Sequence, residues 1–156
     1  MSLRLSPVPA LGAEPLAALH RACFPEDPWN ASAMVEILGL AGFFGRLAWQ
    51  AEVPVGFALA LDLKGECEIL SLGTLPQHRR AGIARALLVE ICREARRRHA
   101  EFAVLEVAVD NIAARALYAG FGFTQAGSRP KYYRRRYSSI DAVILRLPLA
   151  GDSLFA

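Results

Sequence analysis

Leu75-Pro76-Gln77-His78-Arg79-Arg80-Ala81-Gly82-Ile83-Ala84-Arg85-Ala86-Leu87-Leu88 is the stretch on which the reading of this chain turns. A strand-like run, Glu68 to Thr74, leads into it, and apolar residues at helical spacing follow. A loop with a bare glycine and several arginines, placed where a helix begins, suits phosphate. The first N–H groups of a helix lack intrahelical acceptors, and the helix dipole adds partial positive charge there. Gly82 permits close approach of the backbone to a ligand. The stretch therefore points to a protein that grips a phosphorylated cofactor.

Downstream, apolar side chains at 84, 87, 88, 91, 92 and 95 predict a helix over 83–99. Glu101 to Val109 is a strand candidate, Asn111 a helix cap, and Gly122 the stop of a helix ending near Phe121. Phe123 to Ala126 and Ile140 to Leu147 read as the last strands. Upstream, residues 10–23 and 30–39 read as helices around Phe24-Pro25-Glu26-Asp27-Pro28-Trp29, with Asn30 or Ser32 as cap. Phe43 to Gln50 and Val53 to Asp62 form a hairpin pattern, and Lys64-Gly65 turns into the strand Glu66 to Thr74. This order predicts an α/β (α+β) domain with a mixed, mostly antiparallel sheet.

The chain has 156 residues, 54% hydrophobic and 21% charged, so one domain over 1–156 with a substantial core is expected. No apolar run reaches the ~18 residues of a membrane span, and the N-terminus lacks the apolar core of a signal peptide. A cytoplasmic protein without membrane association is the expectation. Cys23, Cys67 and Cys92 are scattered without metal-ligand spacing and read as small buried hydrophobes. His20, His78 and His99 lack acidic or cysteine partners at ligand spacing, so no metal is expected. The net charge of +3 is unevenly placed: Arg79, Arg80 and Arg85, then Arg93 to Arg98, then Arg129 to Arg136. The middle group reads as a solvated helix face, because Glu94 precedes Arg97 and Arg98 by three and four residues.

With the loop and the strand–helix–strand order in place, the chain resembles the GNAT superfamily of acetyl-CoA-dependent N-acetyltransferases. Arg79-Arg80-Ala81-Gly82-Ile83-Ala84 matches that family's Arg/Gln-X-X-Gly-X-Gly/Ala signature. Leu105-Glu106-Val107, then Asn111, Ala116-Leu117-Tyr118 and Gly120-Phe121, is similar to the bacterial RimI type, which acetylates a ribosomal-protein N-terminus. Phe24-Pro25, Lys131-Tyr132-Tyr133 and Asp141 to Leu145 fit the same group. The resemblance spans residues 4–148 and departs from the pattern at the basic run Arg134-Arg135-Arg136 and at Ile140. It implies the GNAT fold: six to seven strands with about four helices on both faces.

The resemblance also implies roles. Arg79, Arg80, Ala81, Gly82, Ile83, Ala84 and Arg85 would cradle the acetyl-CoA pyrophosphate, mainly through backbone N–H groups. Leu72-Gly73-Thr74 would pair by main chain with the pantetheine arm, with the strand splayed at Gly73. Glu106 matches the RimI-type base. Glu68, fourteen residues before Gly82, falls where other GNAT enzymes carry theirs. Tyr118, seven residues or two helical turns after Asn111, is the expected acid for the leaving thiolate. Asn111 would bond the cofactor or cap its helix, and Tyr132 and Tyr133 would line a peptide groove.

Three readings follow. The first is acetylation of a protein N-terminal α-amine, on a ribosomal protein in the RimI manner, by direct attack in a ternary complex. The second is acetylation of a lysine side chain or small amine, favoured if Glu68 is the main base. The third is an RNA- or ribosome-binding module using Arg129 to Arg136 with interleaved tyrosines. The catalytic set argues against this third reading, so direct nucleic-acid binding is not expected.

Overall fold

The expected hairpin forms as Phe43–Gln50 (β2) and Val53–Asp62 (β3), with Ala51 at φ 52° in its turn. In the computed structural model residues 2–9, 12–134 and 139–151 are described, those at 131–134 and 139 by backbone alone. Around this hairpin the elements run β1 (Leu3–Pro7), α1 (Ala13–Cys23), α2 (Ala31–Leu38), β2, β3, β4 (Glu66–Thr74), a 3₁₀ turn (Pro76–His78), α3 (Ile83–Arg97), β5 (Phe102–Ala108), α4 (Ile112–Phe121), β6 (Thr124–Arg134) and β7 (Ser139–Pro148). The seven strands form one sheet in the order β1-β2-β3-β4-β5-β7-β6. Among the described strands only the β4–β5 contact is parallel.

Two apolar cores lie on the two faces. One joins Ile83, Leu87, Leu88, Ile91 and Cys92 of α3 and Tyr118 and Phe121 of α4 to Val55, Ile69, Leu105 and Leu147. The other joins Leu16, Leu19 and Cys23 of α1 and Met34 of α2 to Leu47, Phe57 and Leu59. The outer side of α3 is charged. Glu94 binds Arg97 and Arg98 at 2.9 and 3.0 Å, and Arg46 of β2 reaches Glu94 and Glu90 at 3.2 and 3.5 Å. The solvated face expected from the Glu94 spacing is thus also tied to the sheet.

Two expectations need correction, and one strand is new. Five residues with only Leu3 and Leu5 as apolar markers carry little pattern, yet β1 pairs with β2 from Leu3↔Gln50 to Pro7↔Arg46. β6 runs to Arg134 rather than stopping at Ala126. Register shifts at Gln125/Gly127 and Arg129/Tyr133 break its alternation, and Pro130 is tolerated on this edge strand. The splay of β4 begins well before Gly73. β4 and β5 pair only from Glu66↔Phe102 to Ile69↔Leu105, and a bulge opposite Leu59/Ala60 leaves Leu70 without a partner on β3. Gly73 instead stays in register with Phe57. A Cβ there would lie 2.8 Å from the Phe57 ring and 3.0 Å from Phe24, so glycine answers a packing demand.

Candidate active site

The loop after β4 builds a donor surface from two left-handed residues, Arg80 (φ 64°) and Gly82 (φ 79°). Gly82 is the N-cap of α3, and no side chain bonds back to the first turn. Ala86 N–H is bound to Gly82 C=O at 3.0 Å, which leaves the N–H groups of Ile83, Ala84 and Arg85 as the orphan donors of the helix start. A Cβ on Gly82 would meet nothing within 4 Å, so an external anion can approach the backbone there. Nearby, Thr74 Oγ1 is buried without a hydrogen-bond partner among the described residues. These features fit a pyrophosphate. Arg79 differs from its neighbours: its Nε donates to Thr74 C=O at 3.2 Å and its Nη2 to Cys23 C=O at 3.3 Å. Its side chain therefore staples β4 to α1, while Arg85 lies over the Phe121 ring at 5.2 Å.

Where β4 and β5 part, a cleft of about 180 Å³ opens. Leu70, Ser71 and Leu72 form one wall and Glu106, Val107 and Ala108 the other. His20, Phe24, Asp27 and Trp29 close it from the α1–α2 side, and Asn111, Ala114 and Tyr118 from α4. The splay thus brings Leu72, Glu106, Asn111 and Tyr118 to one space. Glu68, Gly73 and Thr74 are set back from its lining.

Strand alternation explains the difference between the two glutamates. Cys67, Ile69, Leu105 and Val107 point into the α3–α4 core, so Glu68 and Glu106 share the opposite face. Glu68 stands opposite Val104 within the paired segment, whereas Glu106 is the first residue past the last pair. Burial pushes the Glu68 carboxyl above the usual carboxylate range, and the Glu106 and Glu66 charges add to this, against a lowering by Arg129. Glu106 is held differently. Arg129 Nη1 of β6 donates to Oε1 at 2.8 Å and Oε2 at 3.1 Å.

Tyr118 is buried and packs edge-on to Phe123, with ring centroids 5.6 Å apart. Asn111 Oδ1 accepts from Ala114 N–H at 3.2 Å, which realises the capping role and leaves the amide nitrogen for a second one. At the other end of α4, Gly122 and Phe123 N–H fold back onto Tyr118 C=O at 3.1 and 3.0 Å. Tyr132 and Tyr133 lie on the backbone of β6, but their side chains fall outside the described residues, as do 135–138.

His20, Ser71 and Asp27 carry no motif in the sequence. The contacts of His20 lie nine and fifty-one residues away at Trp29 and Ser71, beyond any local spacing. In the sequence Arg129 is one charge of a basic run, with nothing to mark Glu106 as its partner. The three cysteines are buried, and burial pushes Cys23 up to about 11 and Cys67 and Cys92 to about 12. None offers a thiolate for an acyl-enzyme at neutral pH. No cluster of three metal-ligating side chains occurs among the described residues, and none of the described helices is long and apolar enough to cross a membrane.

An open β4–β5 seam beside a basic, glycine-bearing helix start defines a cleft with an anion-binding surface at its rim. Residues 13–123 match the acetyltransferase (GNAT) family model, and the chain belongs to that family as an acetyl-CoA-dependent N-acetyltransferase. It is 34% identical over 123 residues to the ribosomal protein bS18-alanine N-acetyltransferase of Escherichia coli K12, covering 79% of this chain and 82% of the relative. It is 41% identical over 125 residues to the N-alpha-acetyltransferase RimI of Mycobacterium tuberculosis, covering 78% and 76%. The crystal structure of the Escherichia coli ribosomal-protein-S18-alanine N-acetyltransferase superposes with a TM-score of 0.89 at 24% identity, over 97% of this chain and 96% of that one. Arabidopsis thaliana NAA60 in complex with acetyl-CoA superposes with a TM-score of 0.83 at 20% identity, over 96% and 100%.

Proposed function

We propose that this chain, a single domain over 1–156, acetylates the N-terminal α-amine of a protein, a ribosomal protein in the manner of its bS18-acetylating relative. One observation carries the reading: Glu106 and Tyr118, from β5 and α4, line the same cleft between the parted strands. Acetyl-CoA supplies an acetyl thioester. The N–H groups of Arg80 to Arg85 hold its pyrophosphate, and the β5-facing edge of Leu72 to Thr74 offers main-chain groups to its pantetheine arm. Asn111 adds its amide nitrogen at the α4 end.

Glu106 accepts a proton from the incoming ammonium through water. An α-amine, with a pKa near ~8 against ~10.4 for lysine, needs only this modest help. The neutral nitrogen attacks the thioester carbon, forming the C–N bond as the C–S bond breaks. Main-chain N–H groups of β4 past its last pair with β5 face the charge that develops on the oxygen. Tyr118, protonated at rest, gives its hydroxyl proton to the departing thiolate, and the proton that the new amide nitrogen sheds restores the phenol through water. Glu68 stands one step behind Glu106 and passes the released proton outward. Tyr132 and Tyr133 are assigned to the peptide groove on family resemblance alone.

A panel of free N-terminal peptides, lysine peptides and polyamines, incubated with acetyl-CoA and read by mass spectrometry, tests the proposal. Acetyl groups are expected on peptide N-termini. Acetylation of polyamines or lysine side chains with none on α-amines would overturn it.

A further inference from the structure

His20 is 2% exposed, yet it belongs to none of the steps above. Its ring stacks on Trp29 with centroids 4.6 Å apart at 15° and tilts against Phe24 and Phe57. Nδ1 accepts the backbone N–H of Trp29 at 3.1 Å. That bond decides the tautomer, because a nitrogen that accepts cannot carry the proton, so the hydrogen sits on Nε2. Nε2 lies 3.4 Å from Ser71 Oγ. With Nε2–H as the donor, the Ser71 oxygen accepts and its own hydrogen is directed elsewhere. Ser71 lines the cleft on the β4 wall, across from Glu106 on the β5 wall. Burial keeps His20 neutral, holding it down to about 4 despite the nearby Asp27 charge, so the tautomer persists across the physiological range.

A cleft with a carboxylate on one wall and a hydroxyl donor on the other matches a particular fragment. A peptide N-terminus carries its amine one bond, and its first carbonyl oxygen two bonds, from the same α-carbon. A lysine ε-amine or a polyamine nitrogen has no carbonyl at that distance. We propose that Ser71, oriented by His20, is the specificity residue that recognises the first carbonyl of the acceptor while Glu106 meets its amine. His20 is then a positioning residue, acting through Ser71 and, through Trp29, on the α1–α2 wall. The inference rests on the proposed α-amine acceptor and deepens it.

The test compares a lysine-free hexapeptide with a free N-terminal alanine against an N-terminally blocked lysine hexapeptide. Wild type, Ser71→Ala, His20→Asn and the double variant are assayed on both. Asn keeps an acceptor near the Nδ1 position for Trp29 N–H but places no donor at Ser71; melting temperatures of all four proteins report folding. Ser71→Ala is expected to lower kcat/KM for the alanine peptide about tenfold, the worth of one hydrogen bond. Activity on the lysine peptide and the KM for acetyl-CoA stay unchanged. His20→Asn gives the same fall, and the double variant adds nothing to it. Equal losses on both peptides, no loss on the alanine peptide, or additive effects in the double variant overturn the inference while the α-amine reading stands. A wild type that modifies only the lysine peptide overturns both.

Discussion

Arg129 and Glu106 are joined through a single guanidinium nitrogen that donates to both carboxylate oxygens, at 2.8 and 3.1 Å, although the residues lie on separate strands, β6 and β5. Both are solvent-accessible, with side-chain exposures of 50% and 27%, so the pair contributes little to stability, at most about 1 kcal/mol. Its effect falls on the orientation of the carboxylate. Arg129→Met is expected to leave the melting temperature nearly unchanged and to lower kcat/KM several-fold, with Arg129→Lys recovering part of the loss. Steady-state kinetics beside a thermal melt check this. A large fall in melting temperature with unaltered kinetics would contradict it.

The two glutamates should separate cleanly under substitution. Glu106→Gln is expected to lower kcat about a hundredfold, the usual worth of a general base, with the KM for acetyl-CoA unchanged. Glu68→Gln should cost far less activity and should raise thermal stability. The fold lifts the Glu68 carboxyl above its ordinary range, so stability is lost as pH rises from that range towards the raised folded value, and a neutral amide removes the penalty. Equal losses of kcat for the two variants would refute the division of labour.

Gly82 sits at φ 79° with open space beside it. Gly82→Ala should therefore cost the fold only about 1 kcal/mol of backbone strain. The new methyl stands on the face reserved for phosphate, so the Kd for acetyl-CoA is expected to rise at least tenfold. Isothermal titration with coenzyme A measures it, and an unchanged Kd would remove the loop from the binding surface.

His20 makes acid stability measurable. Its folded value is lowered from 6.5 to about 4 by burial, so its contribution is complete above pH 6.5 and is lost as pH falls towards 4. Allowing for water at the cleft side, the loss amounts to about 2 kcal/mol. Urea unfolding at pH 7.5, 5.5 and 4.5 should show wild type losing more stability than His20→Asn. Parallel pH dependences for the two proteins would exclude a buried neutral histidine.

Much of this architecture was legible in the chain. The bare glycine before α3, the hairpin turn at Ala51-Glu52 and the cap at Asn111 are local signals, written within a few residues of the structure they produce. Of the candidate site, the sequence marks the parts of the cleft lining that fall in one motif, Leu105-Glu106-Val107 and Ala116-Leu117-Tyr118. Partners far apart in sequence left no trace. Arg129 finds Glu106 across twenty-three residues, and Ser71 finds His20 across fifty-one. The onset of the splay was misplaced for a similar reason: Gly73 looks like a breaker, but the rings of Phe57 and Phe24 decide that a side chain cannot stand there.

The parallel seam of four residue pairs, Glu66↔Phe102 to Ile69↔Leu105, makes this a sheet of two panels, β1–β4 and β5–β7, with one short main-chain joint. Past the joint, backbone groups that would normally complete a ladder face a gap inside the sheet, shielded from the edge-to-edge pairing that exposed strands invite. A cosubstrate arm laid along that gap would act as a missing rung as much as a reactant. Loading with coenzyme A should then slow amide hydrogen exchange in both panels together, knitting them into one cooperative unit.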